Sequence, residues 1–247
     1  MRPWMRPWAM RALLPAALLL TCAAAPHSGR DDASPAVQAM QDDDAENPAM
    51  LWVQQGAALW DQGCASCHGT PESMHSVSAR YPQFDPSLGR PITLAGRVNQ
   101  CRARTGQGAW TPDSDEMLSV TALVGQQSRG LPVAVDGDGP ARPFIEQGQA
   151  LFTQRQGQLN LSCAQCHDGL AGQRLGGARI PQGQPNGYPL YRLEWQSMGS
   201  LDRRLRNCLT GVRAEPLPSD SPEMAALQFY LGWRSNGLRG ETPAVRP

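Results

Sequence analysis

The chain contains no lysine: all 22 basic residues are arginine, set against 22 carboxylates for a formal net charge of zero. That balance denies it the general basic field of a nucleic-acid binder and argues against that class of partner. What cations it has are planar, permanently charged forks, which suit oxyanions better than an ammonium does. Histidine is scarce, with four in 247 residues. No alternating strand pattern is apparent and the readable periodicities are helical, so the expected fold class is all-α.

Long apolar runs are scarce too. Ala12 to Leu20 is too short to span a bilayer, and with Arg2, Arg6 and Arg11 ahead of it reads as a secretory signal over residues 1–25. Ala23-Ala24-Ala25 is the expected cleavage site. Lipidation at Cys22, in the imperfect box Leu19-Leu20-Thr21-Cys22, is the less favoured alternative. Either way the expected location is the periplasm. Met1 to Trp4 recurs as Met5 to Trp8, so Met5 is a second candidate start. Residues 26–47, with Asp31-Asp32 and Asp42 to Asp44, show no apolar periodicity and are expected to form a mobile polar leader.

Two copies of one motif then organise the chain: Cys64-Ala65-Ser66-Cys67-His68 and Cys163-Ala164-Gln165-Cys166-His167. Two thiols three residues apart can add to the two vinyl groups of one haem, and the following histidine can ligate its iron. A zinc knuckle needs a second nearby ligand pair that neither copy has. The expectation is two haem c groups, one in each of two tandem cytochrome c-like domains at 48–131 and 144–240, joined by a linker at 132–143 rich in Asp, Gly and Pro.

The domains read as copies of one module. Ahead of each motif an amphipathic helix is expected, with Gly56/Gly148 and Trp60/Phe152 matched at an offset of 92. A glycine inside a helix costs about 1 kcal/mol against alanine, so its reuse suggests a close helix crossing. From Leu94/Leu201 the offset is 107 and includes Arg97/Arg204, Cys101/Cys208, Ser114/Ser221 and Met117/Met224. Ser114 and Ser221 are natural N-caps of a final helix in each copy. Between Gly172 and Pro189 the second copy carries a glycine- and proline-rich loop, expected to cover one face of its haem.

Seven cysteines must be assigned in an exported protein. Four bind haem and Cys22 belongs to the signal, which leaves Cys101 and Cys208. The residues leave two readings open: an axial thiolate on each iron opposite His68 and His167, or a disulfide, which would bring equivalent points of two modules within about 6 Å. Met117 and Met224 lie on apolar helix faces and read as core. Arginines crowd both cysteines. Arg204 is matched by Arg97, whereas Arg206, Arg213 and Arg234 stand opposite Asn99, Gly106 and Gln127, so the second module has added anion-binding potential.

The run Arg204-Leu205-Arg206-Asn207-Cys208-Leu209-Thr210-Gly211-Val212-Arg213-Ala214-Glu215-Pro216, with Ser219-Asp220-Ser221 and Leu231-Gly232-Trp233, resembles the SoxA-type dihaem cytochrome c of bacterial thiosulfate oxidation. The similarity extends over residues 48 to 240. It implies axial ligation by His68 and Cys101 at one iron and by His167 and Cys208 at the other. It also implies a SoxX-type monohaem cytochrome partner and a Cys208 able to carry a persulfide. The implied activity is that of an L-cysteine S-thiosulfotransferase, which couples thiosulfate oxidatively to a cysteine of the carrier SoxYZ and passes electrons to a cytochrome c. By position Arg204 becomes the substrate-binding arginine, with Arg213 and Arg234 as supporting charges. The internal repeat points the other way, because Arg204 is shared by both modules. A thiosulfate dehydrogenase forming tetrathionate and a plain dihaem electron carrier remain the rival readings.

Overall fold

The computed structural model describes residues 25–247. Cys22 and the expected signal segment through Ala24 lie outside the described residues. Each module is built on a crossed helix pair. In the first, α2 (Met50–Gly63) crosses α5 (Asp115–Gln126); in the second, α6 (Arg142–Thr153) crosses α9 (Pro222–Arg234). The repeated glycines sit at those crossings. A Cβ on Gly56 would lie 2.3 Å from the Ser119 carbonyl oxygen, and one on Gly148 would lie 2.2 Å from that of Ala226. Ser119 and Ala226 are themselves 107 apart, so the two crossings are one geometry used twice. Around them pack Val53, Trp60, Leu118 and Leu123 in the first core, and Ile145, Phe152, Leu227 and Leu231 in the second.

The expected caps form. Ser114 Oγ accepts from the Met117 amide at 3.2 Å and Ser221 Oγ from the Met224 amide at 3.1 Å. Thr93 and Ser200 do the same for α4 (Leu94–Arg104) and α8 (Leu201–Gly211), the helices that carry Cys101 and Cys208. The short helices α3 (Ala65–His68) and α7 (Cys163–His167) hold the motif residues. Met117 and Met224 are fully buried in the cores.

Helices dominate, yet the all-α expectation needs amending, because the described residues also contain three small sheets. Hairpin β1 (Gln83–Asp85)/β2 (Arg90–Ile92) pairs Gln83 with Ile92. Its equivalent, β5 (Leu190–Arg192)/β6 (Ser197–Gly199), pairs Leu190 with Gly199. The third, β3 (Arg174–Leu175)/β4 (Ala178–Arg179), lies in the loop of the second module. Strands this short are below the length at which alternation is visible in a sequence.

These hairpins also clasp the modules together. Phe84 of the first packs on the second core, 5.9 Å from the Phe144 ring; Tyr191 of the second packs on the first core, 6.0 Å from Trp52. Met198, 1 % exposed, joins the first core as well. The expected linker is strapped in place: Val135 is buried, its amide donates to Asn236 Oδ1 at 2.7 Å, and Asn236 Nδ2 returns a bond to its carbonyl.

The segment 26–47 is ordered rather than a mobile leader. Ser34 caps α1 (Pro35–Asp42), and Ala33 and Val37 pack on Val245 of β7 (Ala244–Arg246), which adds in parallel to β5. Gln41 and Asn47, both buried, hydrogen-bond to Val245 and Pro243. The partner of this polar stretch lies about 200 residues away, which local periodicity cannot reveal. Among the described residues no helix is long and apolar enough to cross a membrane.

Candidate functional site

The second module places its motif against a cavity. Ser162 caps α7 in a reciprocal box, its hydroxyl accepting from the Gln165 amide and its own amide donating to Gln165 Oε1 at 2.9 Å. The variable Gln165 of the motif thus orients the turn that presents Cys163, Cys166 and His167. His167 Nδ1 donates to the Pro181 carbonyl at 2.7 Å, leaving Nε2 as the free lone pair, the form a metal ligand takes. Gly183 packs so close that a Cβ there would lie 3.0 Å from the imidazole. Burial holds His167 below its ordinary pKa, partly opposed by the Pro181 bond, so the ring is neutral at neutral pH. The expected loop between Gly172 and Pro189 therefore lines and orients the histidine side of the site.

Cys163, His167 and Cys208 line one cavity with Phe152, Leu205 and Leu231; about 1080 Å³ of empty space lies between its atoms, the open mouth included. A largely apolar slot with Cys163, an oriented imidazole and a further sulfur on its wall, and Cys166 on the same helical turn as Cys163, has the donor set of one haem c. Burial, then the charge of nearby Cys208, pushes the Cys163 thiol up to about 11. The first module repeats the donor set with Cys64, Cys67, His68 and Cys101. Cys64 is likewise raised by burial and then by Cys101. Trp60 ties this turn down, its indole donating to the Gly69 carbonyl at 2.8 Å and its ring lying 5.8 Å from His68. His68 is exposed where His167 is tucked under its loop.

Cys101 and Cys208 are both free, each beside the motif of its own module. That placement, each cysteine beside its own motif, speaks against a disulfide between the two. Of the arginines expected at the second site, Arg204 lines the cavity, one helical turn before Cys208 on α8. The other two stand outside the cavity lining. Arg213 is exposed outside the cavity, at φ 57°, its carbonyl accepting from the Gln158 amide. Arg234 is committed on the His167 side, to an ion pair with Asp168, a 2.6 Å bond to the Gln182 carbonyl and the face of Phe152. Sequence reasoning missed Tyr188 and Arg192, which also line the cavity. Burial raises the Tyr188 hydroxyl to about 12, so it stays protonated. A signal was present: the 107 offset extends back to Tyr81-Pro82 and Tyr188-Pro189.

Two clasped helical modules, each with a vinyl-reactive cysteine pair, a histidine and a further thiol, define a tandem c-type cytochrome with a sulfur-bearing site in each half. The sequence profile of the SoxA/TsdA cytochrome c domain matches residues 49–133 and 147–239. The chain belongs to that family. It is 38% identical over 218 residues to the L-cysteine S-thiosulfotransferase subunit SoxA of Rhodovulum sulfidophilum, covering 85% of this chain and 76% of that one. Against the Paracoccus pantotrophus subunit of the same name the identity is 38% over 225 residues, covering 88% and 77%. The crystal structure of SoxXA from P. pantotrophus contains a chain that superposes with a TM-score of 0.86 at 37% identity, covering 90% of this chain and 87% of that one.

Proposed function

We propose that this chain is the haem-bearing subunit of an L-cysteine S-thiosulfotransferase, with its chemistry in the second module. The observation that carries the reading is the placing of Cys208 and Arg204, four residues apart on α8, in the cavity that also holds Cys163 and His167. In the overall reaction a carrier thiol and the thiosulfate dianion form an S–S bond. The S–H bond breaks, its proton goes to solvent, and two electrons leave toward a cytochrome c. Haem c, when bound, supplies one-electron acceptors at the two sites.

The chain's own residues do the rest. Arg204 binds the oxyanion end of thiosulfate through charge-assisted hydrogen bonds. Cys208 carries the sulfur intermediate as a persulfide, and with His167 it would hold the iron of a bound haem, as Cys101 with His68 would in the first module. His167 is held by Pro181 in the ligating tautomer, and Phe152, Leu205 and Leu231 exclude water from the slot. Two haem c groups, attached through Cys64 and Cys67 and through Cys163 and Cys166, are the complement these sites accept.

The acceptor of the thiosulfate group is a SoxYZ-type carrier cysteine, and the partner subunit is a SoxX-type monohaem cytochrome, in the periplasm. The test is to supply the purified holoprotein complex with thiosulfate and a cytochrome c, with and without carrier. Carrier-dependent reduction, with the thiosulfate adduct found on the carrier by mass spectrometry, is expected. Full-rate reduction without carrier, with tetrathionate as product, would instead establish the dehydrogenase.

A further inference from the structure

The two modules carry the same arginine beside the same cysteine, and the difference between them lies in what faces it. In the first module Arg97 is neutralised. Its Nη2 lies 2.7 Å from Asp85 Oδ2, its Nε donates to the Tyr81 hydroxyl at 3.2 Å and its Nη1 to Gln100 Oε1 at 2.6 Å. Asp85 is a buried carboxylate at the end of β1, and its side chain is 4 % exposed. Moving each residue by 107 gives the second site: Tyr81 becomes Tyr188, Arg97 becomes Arg204, and Asp85 becomes Arg192. The strands correspond in register, since Asp85 pairs with Arg90 and Arg192 with Ser197, so the exchange falls at one point of one hairpin.

A buried ion pair has therefore been replaced by two like charges. Arg192 and Arg204 line the same cavity as Cys208. Burial, and next the charge of Arg204, lowers the pKa of Arg192, and its buried Nε has no partner among the described residues. Its Nη2 meets Glu194 at 2.7 Å, but that carboxylate is 63 % exposed and screened by solvent. Two half-buried guanidinium groups facing one cavity, one with an unfilled buried donor, call for an anion there, and two positive charges match a dianion. Two anions could supply it: the oxyanion end of a small dianionic substrate, or a carboxylate of the cofactor.

We propose that Arg192 is a substrate-positioning residue that pairs with Arg204 to select small dianions, and that the Asp85-to-Arg192 exchange separates the substrate-binding module from its copy. This rests on the transferase reading for the identity of the dianion, thiosulfate.

The test uses the holoprotein with its partner subunit. Arg192→Asp rebuilds the first module's ion pair at the second site, and Arg192→Gln removes the charge at similar size. The expected result for Arg192→Gln is a KM for thiosulfate raised about tenfold or more with kcat little changed, the pattern of lost uniform binding. A larger rise is expected for Arg192→Asp. Equilibrium dialysis with sulfate, an unreactive dianion, should show binding weakened by a similar factor, while the haem spectra and potentials stay at wild-type values. Unchanged KM and sulfate binding would overturn the proposal, and a shifted haem potential beside them would assign Arg192 to the cofactor carboxylate instead. Loss of haem from both variants would also overturn it, making Arg192 structural. If the wild-type protein itself neither transfers thiosulfate nor binds sulfate, the transferase reading fails; if it does both and the variants match it, only this inference fails.

Discussion

Replacing Gly148 by alanine tests the helix crossing that holds the second site together. In an open helix the change is favourable by up to about 1 kcal/mol, because glycine has more backbone entropy to lose. Here the new methyl would lie 2.2 Å from the Ala226 carbonyl oxygen, 2.5 Å from Tyr230 Cβ and 2.9 Å from the Ala226 carbonyl carbon. Two of those atoms are backbone of α9 and the third is fixed to it, so no rotamer change relieves the clash and the helices must separate. Overpacking costs about 1–3 kcal/mol and occasionally more. With all three contacts under 3.0 Å the upper end applies, leaving a net loss of about 2 kcal/mol after the propensity gain. For a chain of this size that is a fall of about 4–8 °C in Tm. The same displacement moves Phe152 on α6 away from Leu227 and Leu231 on α9, all of which line the cavity. Gly63→Ala is the control: it ends α2 with nothing within 4 Å of the added methyl, and should be neutral or stabilising by up to about 1 kcal/mol. The assay is thermal and urea unfolding of the holoprotein. A Gly148→Ala protein as stable as wild type would refute the close crossing and the shared geometry inferred for Gly56.

On the proposed function, Cys208→Ala should retain the covalent haems proposed at Cys64/Cys67 and Cys163/Cys166 and lose transfer of thiosulfate to carrier; Cys101→Ala should alter one haem spectrum and keep transfer. Intact mass and carrier labelling separate these outcomes. Arg204→Ala should weaken thiosulfate binding by about 1.5–3 kcal/mol, roughly ten- to a hundredfold in KM, with lysine restoring only part, having the charge without the fork. Low-temperature EPR of the oxidised protein should show low-spin haems with sulfur opposite histidine, and His/Met signals at both sites would exclude Cys101 and Cys208 as ligands. Asp85 is held down at about 2 by the Ser87 hydroxyl first, with the Ser87 amide and Arg97 adding to it against burial. A carboxyl depressed in the folded state stabilises above its unfolded pKa of about 3.9 and loses that contribution as pH falls toward 2. Urea unfolding between pH 5 and 2 should therefore show a steeper loss of stability in wild type than in Asp85→Asn.

Much of this protein was settled within short windows of its sequence. The five-residue motifs carry their chemistry locally, since haem attachment needs two thiols and a histidine on one turn. The N-caps at Ser114 and Ser221 and the glycines at 56 and 148 were legible because capping and close approach depend on one residue type at one place. The repeat likewise placed Cys101 and Cys208 at equivalent points before any coordinate did. Tertiary structure decided what depends on distant partners. The polar stretch 26–47 became ordered because Gln41 and Asn47 meet the C-terminal segment, and the three-residue strands of β1/β2 and β5/β6 are held because each hairpin has the other module's core to pack on. Arg213 and Arg234 were expected as supporting charges by spacing, and only the fold shows that Arg234 pairs with Asp168 on the His167 side while Arg213 lies outside the cavity. Arg97 and Arg204 look alike in sequence, and only the fold, by facing one with Asp85 and the other with Arg192, makes them chemically different.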